Sequence, residues 1–212
     1  MQMLLQTLTP YGGITVMFPA ALVIGGWLWT SRSRTAALLW GLTLLVAYSI
    51  VVASKILFKG WGVALDSLGV YVLSGHAMNT CLVLTVGLSL LARQLRHSLR
   101  WPAAALGLLL GWLFSLYCVA PFIHPLAEAV AGALLGSLAA CVFLACLEHH
   151  SGTRIPSTAV MTGLLLIAIS STTTKYNAEK LLDRISTGMS GSEEAFRQPQ
   201  WRGTPPLESG SH

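Results

Sequence analysis

The chain has 212 residues, of which 54% are hydrophobic and only 10% charged. A soluble domain carries roughly 25% charged residues, so this composition excludes an ordinary soluble enzyme and predicts an integral membrane protein. The formal net charge of +5 does not point to nucleic acid, because the basic residues are scattered through short loops and the tail and form no patch. Membrane lipids, not nucleic acid, are the expected surroundings.

In chain order, residues 1–12 mix polar and apolar side chains and read as an interfacial segment. Apolar runs follow at about residues 14–29, 36–54, 74–92, 102–117, 125–147 and 157–171. As helices, runs of this length cross or nearly cross a hydrocarbon core of about 30 Å. The expected fold is all-α: a six-helix transmembrane bundle over residues 1–171, followed by a polar tail over 172–212. The first run reads as a retained span, since no basic region precedes it and no cleavage site follows. Residues 55–69 form a more polar link carrying Lys55, Lys59, Trp61 and Asp66. In the tail, residues 176–185 space their apolar side chains for an amphipathic helix, and the remainder reads as loose.

Loop charge orients the bundle. Arg32 and Arg34, then Arg93, Arg96 and Arg100, then Arg154 fall in alternate loops, and the positive-inside rule assigns that side to the cytoplasm. Both termini, the 55–69 link and the His124 loop then face outward, as in a bacterial inner membrane with its site toward the periplasm or outside. Trp27, Trp29, Trp61 and Trp101 read as interfacial anchors. The four cysteines show no metal or redox spacing, and Cys81, Cys141 and Cys146 read as helix packing. His97 reads as solvated, while His149 and His150 suit a helix C-terminus.

Two polar groups stand out in this apolar chain. Ser74-Gly75-His76 opens the third run, where unpaired helix amides, a flexible glycine, a hydroxyl and an imidazole suit an anion. The plainer reading is a helix cap. Downstream, His124 precedes Pro125, a residue favoured at the first helical position, and Glu128 lies one turn on. A carboxylate on one imidazole nitrogen fixes the tautomer and leaves the other as nucleophile or base. Alternatively, Glu128 only complements the helix dipole. Gly132 and Gly136 form a GxxxG pattern explained by close helix packing. No carboxylate cluster suggests a metal, and no cofactor is expected.

With these residues in place, the chain resembles the type 2 phosphatidic acid phosphatase superfamily of membrane phosphatases. That family carries Lys-x6-Arg-Pro, Pro-Ser-Gly-His and Ser-Arg-x5-His-x3-Asp motifs. Here Lys55 ends the second run, Leu73-Ser74-Gly75-His76 opens the third, and His124 with Glu128 opens the fifth. The resemblance covers about residues 36–150. It implies a six-helix core and a phosphohistidine mechanism in which His124 attacks phosphorus, Glu128 orients it and His76 protonates the leaving oxygen. Ser74, the Gly75 amide and Lys55 would hold the phosphate. The chain departs from the motifs at Gly62-Val63 and Tyr117-Cys118, where the family has Arg-Pro and Ser-Arg, and at Leu73 and Glu128. Lys59, one turn from Lys55, would replace part of the missing charge, as a point charge and not a fork. The implied substrate is a lipid phosphate or pyrophosphate, polyprenyl or phospholipid-derived. A lipid phosphotransferase, or a weakened lipid-phosphate-binding or assembly subunit, uses the same residues. Nothing in the sequence sets the oligomeric state.

Overall fold

The computed structural model describes residues 2–31, 33–149, 154–172, 179–191 and 194–197. Among them the regular elements are helical, apart from one antiparallel bridge between Leu65 and Val70. Helix α1 (Gln2–Leu8) leads through a 3-10 turn (Thr9–Gly12) into α2 (Ile14–Thr30), with a 50° bend between them. Then come α3 (Arg34–Trp61), α4 (Gly75–Leu95), α5 (Arg100–Phe114), α6 (Leu126–Leu147), α7 (Ser157–Thr172) and α8 (Glu179–Ser190). Helices thus cover all six apolar runs. By length and composition four segments can cross a membrane: α3, α4, α6 and the stretch His97–Val119 that contains α5. The bent α1–α2 pair makes a fifth, and α7 is apolar but only 16 residues long. This is the build of a multi-pass membrane protein.

The polar link expected from residue 55 begins later than the composition suggests. Helix α3 runs on to Trp61, so Lys55 and Lys59 lie on its last two turns. Leu57 and Phe58 keep apolar side chains on the helix between the lysines. Gly62 ends it at φ 68°, donating to the Phe58 carbonyl at 2.8 Å while Val63 donates to Leu57 at 3.3 Å. A left-handed glycine closing two orphan carbonyls is a common helix stop.

Helix α4 is the axis of the bundle, and glycines on both flanking helices let it approach closely. Gly107 and Gly111 of α5 lie against α4 backbone; a Cβ on Gly111 would sit 2.8 Å from Cys81 Cα. Gly132 and Gly136 of α6 face the carbonyls of Ser74 and Met78, and a Cβ at either would collide with them. Small residues permit the backbone-level packing that holds membrane helices together. At the basic end, Glu148 accepts hydrogen bonds from Arg93 and from Arg100 Nε, joining the ends of α4, α5 and α6. Gln94 Oε1 accepts from Ile155 N at 2.9 Å. The loops carrying Arg93, Arg96, Arg100 and Arg154 therefore share one end.

Several expectations need correction. Trp27 is buried and donates from Nε1 to the Ala159 carbonyl at 2.8 Å, tying α7 to α2; it is a packing residue, whereas Trp29, Trp61 and Trp101 are exposed. Cys141 and Cys146 are exposed on α6, and only Cys81 and Cys118 are buried. His97 is exposed, as expected, and its Nδ1 also lies 2.8 Å from the Arg100 guanidinium. Within the described residues the tail helix covers Glu179–Ser190, running past the Ile185 end that the spacing suggests. Arg32, His150, residues 176–178 and the chain beyond 197 lie outside the described residues.

Candidate functional site

Pro125 shapes the start of α6. It is the N-cap with extended ψ of 150°, and the helix begins at Leu126, one residue later than a first-position proline implies. Glu128 then occupies the third helical position, from which a glutamate often reaches back to the N-cap amide. Proline has no amide to offer, so both carboxylate oxygens serve other donors. Oε2 lies 2.7 Å from His124 Nδ1, and Oε1 accepts from the amides of Tyr71 and Val72, each at 3.2 Å. The carboxylate is fully buried, and such a group is tolerable only when its lone pairs are filled. A carboxylate accepts and does not donate, so in the neutral form of His124 this bond puts the proton on Nδ1 and leaves the lone pair on Nε2. The position near the helix N-terminus also favours the negative charge; pairing and dipole act together.

The same contact fixes the start of α4. Ser74 N donates to the Glu128 carbonyl at 3.3 Å, and Ser74 Oγ accepts from Ala77 N at 3.4 Å as the N-cap. Ser74 is wholly buried, so its hydroxyl is at least a helix cap. The glycine at 132 is what allows this approach. Helix α3 closes the third side: Ser54 Oγ accepts from Leu73 N at 3.1 Å, and a Cβ on Gly75 would touch Val51 at 3.6 Å. The turn bearing Lys55 therefore packs on the Leu73–Gly75 segment. His76 lies toward α2, its Nε2 3.2 Å from where a Cβ on Gly13 would stand.

One end of the bundle thus collects Lys55, Ser74, Gly75, His76, His124 and Glu128. His124 and Glu128 are bonded directly, and Ser74 is joined to them through backbone. Lys59 stands apart in function: its ammonium pairs with Asp183 of α8. The two departures from the arginine motifs have structural causes. Gly62 is the left-handed cap of α3, with the Phe196 ring against it, where an arginine would be strained. Cys118 is buried in a π-helical turn, Ser115–Val119, and its carbonyl accepts from Thr9 Oγ1 at 2.9 Å. Among the described residues, no three of His, Cys, Asp and Glu are grouped as a metal site requires.

Sequence reading missed the Tyr71 and Val72 amides and the Ser54 hydroxyl as parts of this arrangement. Backbone donors leave no trace in residue identity, and a serine at the end of an apolar run looks like many others. The second glycine pair, Gly107-x-x-x-Gly111, was visible in the sequence and has the same spacing as the pair that was noted.

No protein-family model matches the chain, and no solved structure matches it. The chain is 27% identical over 199 residues to an uncharacterized 22.5 kDa protein in the cps region of Klebsiella pneumoniae, an alignment covering 90% of this chain and 94% of that one.

Proposed function

We propose that this protein is a six-span membrane phosphatase that removes phosphate from a lipid phosphate or pyrophosphate at the outer face, through a phosphohistidine. The observation that carries the reading is the His124–Glu128 bond of 2.7 Å, with the second carboxylate oxygen held by two backbone amides. That arrangement fixes the tautomer of the neutral imidazole, the form a nucleophilic nitrogen needs. In the first step Nε2 of His124 bonds to phosphorus, the bond from phosphorus to the lipid oxygen breaks, and protonated His76 gives its proton to that oxygen. Water then attacks the phosphohistidine, the P–N bond breaks, and His76 takes the water's proton. Lys55, the α4 amides at Gly75 and His76, and Ser74 would stabilise the phosphoryl oxygens. Basic residues at the opposite end support an outward site by the positive-inside rule.

A second reading, a lipid-phosphate-binding subunit without turnover, is favoured by one observation. Both arginine positions of the resembling motifs are structurally occupied by other needs, at Gly62 and Cys118, and Lys59 is already paired. Phosphate release from short-chain lipid phosphates and polyprenyl phosphates by purified protein decides between them. Release that disappears in His124→Ala, with an acid-labile phosphoprotein trapped only in wild type, supports the enzyme. Tight binding with no release supports the subunit, and neither binding nor release refutes both.

A further inference from the structure

Helix α8 is amphipathic, and its sides are used in an unexpected way. The face packed on the protein is mainly polar, with half-buried Leu182 at its edge. Asp183 pairs with Lys59, Ser186 is fully buried with its carbonyl 3.3 Å from where a Cβ on Gly60 would stand, and Ser190 Cβ lies 3.4 Å from the same point. Just past the helix, Phe196 N donates to the Lys59 carbonyl at 2.9 Å. Residues 183, 186 and 190 recur at i, i+3 and i+7, one helical face. The apolar stripe Leu181, Ile185 and Met189, at i, i+4 and i+8, faces outward with 60%, 39% and 62% exposure. A soluble helix would bury that stripe and expose the polar one.

The receiving surface explains the inversion. Helix α8 sits on the last turns of α3, a helix apolar and long enough to cross a membrane, where Leu57 and Trp61 are also exposed at 46% and 48%. Tryptophan is enriched where a helix leaves the hydrocarbon. The outward stripe of α8 and the exposed Leu57 and Trp61 thus stand at the same end of α3, where that helix would leave the hydrocarbon. We propose that α8 is an interfacial helix, seated by its polar face on the end of α3 and by Leu181, Ile185 and Met189 in the lipid of the same leaflet. The partner is a bilayer surface, met by an amphipathic helix lying in the interface plane. The inference stands apart from the phosphatase reading, since it uses neither histidine.

The test uses the full chain in phosphatidylcholine–phosphatidylglycerol nanodiscs. With Cys141 and Cys146 replaced by serine, single spin labels at Leu181→Cys, Ile185→Cys and Met189→Cys should be relaxed by oxygen at least several-fold more than by a water-soluble nickel chelate. A label at Arg184→Cys, on the remaining exposed face, should show the reverse. Docking is checked with Gly60→Cys/Ser190→Cys, whose Cβ separation is near the roughly 3.5–4.5 Å of a disulfide; it should oxidise readily, while Gly60→Cys/Arg184→Cys should not. Nickel relaxation at all four labels overturns the proposal. So does a stripe shielded from both reagents with label-to-label distances that reveal a second copy, or failure of the Gly60–Ser190 disulfide.

Discussion

At the scale of single residues, Glu128 carries the most consequence. Its carboxylate accepts from His124, Tyr71 and Val72, so Glu128→Ala leaves three donors facing a void. Leaving a buried donor unsatisfied costs about 1–3 kcal/mol, and with three donors affected thermal unfolding in detergent should show a large drop in Tm. Glu128→Gln separates folding from chemistry. The amide oxygen can still take the Tyr71 and Val72 amides, while its NH2 now faces Nδ1 and forces the proton onto Nε2. On the proposed mechanism turnover falls by as much as about 10⁴-fold, the loss seen when a serine-protease triad is given the wrong tautomer, with a small change in Tm. Equal turnover in Glu128→Gln and wild type would remove His124 as the nucleophile. Cys118 is the counter-example. Its place in the resembling motif invites Cys118→Arg as a gain of phosphate binding, yet the residue is 3% exposed inside the π turn. The expected outcome of that change is loss of folded protein, read as aggregation on size exclusion.

At the scale of elements, the glycines decide where α4 lies. A Cβ at Gly132 or Gly136 meets a carbonyl of α4, and backbone cannot yield as a side chain can. Gly132→Ala should therefore separate α6 from the Ser74 turn and lower both Tm and any phosphate binding. Gly41→Ala is the control: nothing stands within 4 Å of its Cβ, and replacing glycine within a helix stabilises by about 1 kcal/mol or less. Opposite shifts in the two variants are the expected result, and a harmless Gly132→Ala would mean that α4 and α6 do not touch as described. The extension of α3 through Trp61 belongs to this scale too. It places Lys55 and Lys59 one turn apart on a helix, with Lys59 on the turn that lies beneath α8 and pairs with Asp183. Lys59→Ala should loosen the tail and reduce the oxidation yield of the Gly60→Cys/Ser190→Cys pair without abolishing any phosphate binding at the proposed Lys55 site.

At the scale of the whole molecule, the two ends of the bundle differ in charge and in content. One holds Arg93, Arg100 and Glu148 in contact, with Arg96 and Arg154 on its loops; the other holds His76, His124 and the docked tail. The positive-inside rule then predicts that Ser67→Cys, on the loop beside the site, reacts with an impermeant maleimide in intact cells. Ser98→Cys, between the arginines, should react only after permeabilisation. The inverse pattern would turn the protein over and place the histidines in the cytoplasm.

Much of this was legible in the sequence because a bilayer simplifies the code. Backbone groups must be satisfied within each segment, so apolar length alone located the helices, and the one-turn spacing of His124 and Glu128 brought their side chains within reach. GxxxG at 132–136 announced close packing for the same local reason. The tertiary fold alone decided what those groups meet. That Glu128 also holds the 71–72 amides and that Lys59 pairs with Asp183 both depend on segments distant in the chain. The inverted seating of α8 is the clearest case. Its amphipathic period is written in the sequence, but which face turns to protein is set by what lies beneath: a polar, glycine-opened end of α3 takes the polar side, and the apolar side is left for the membrane.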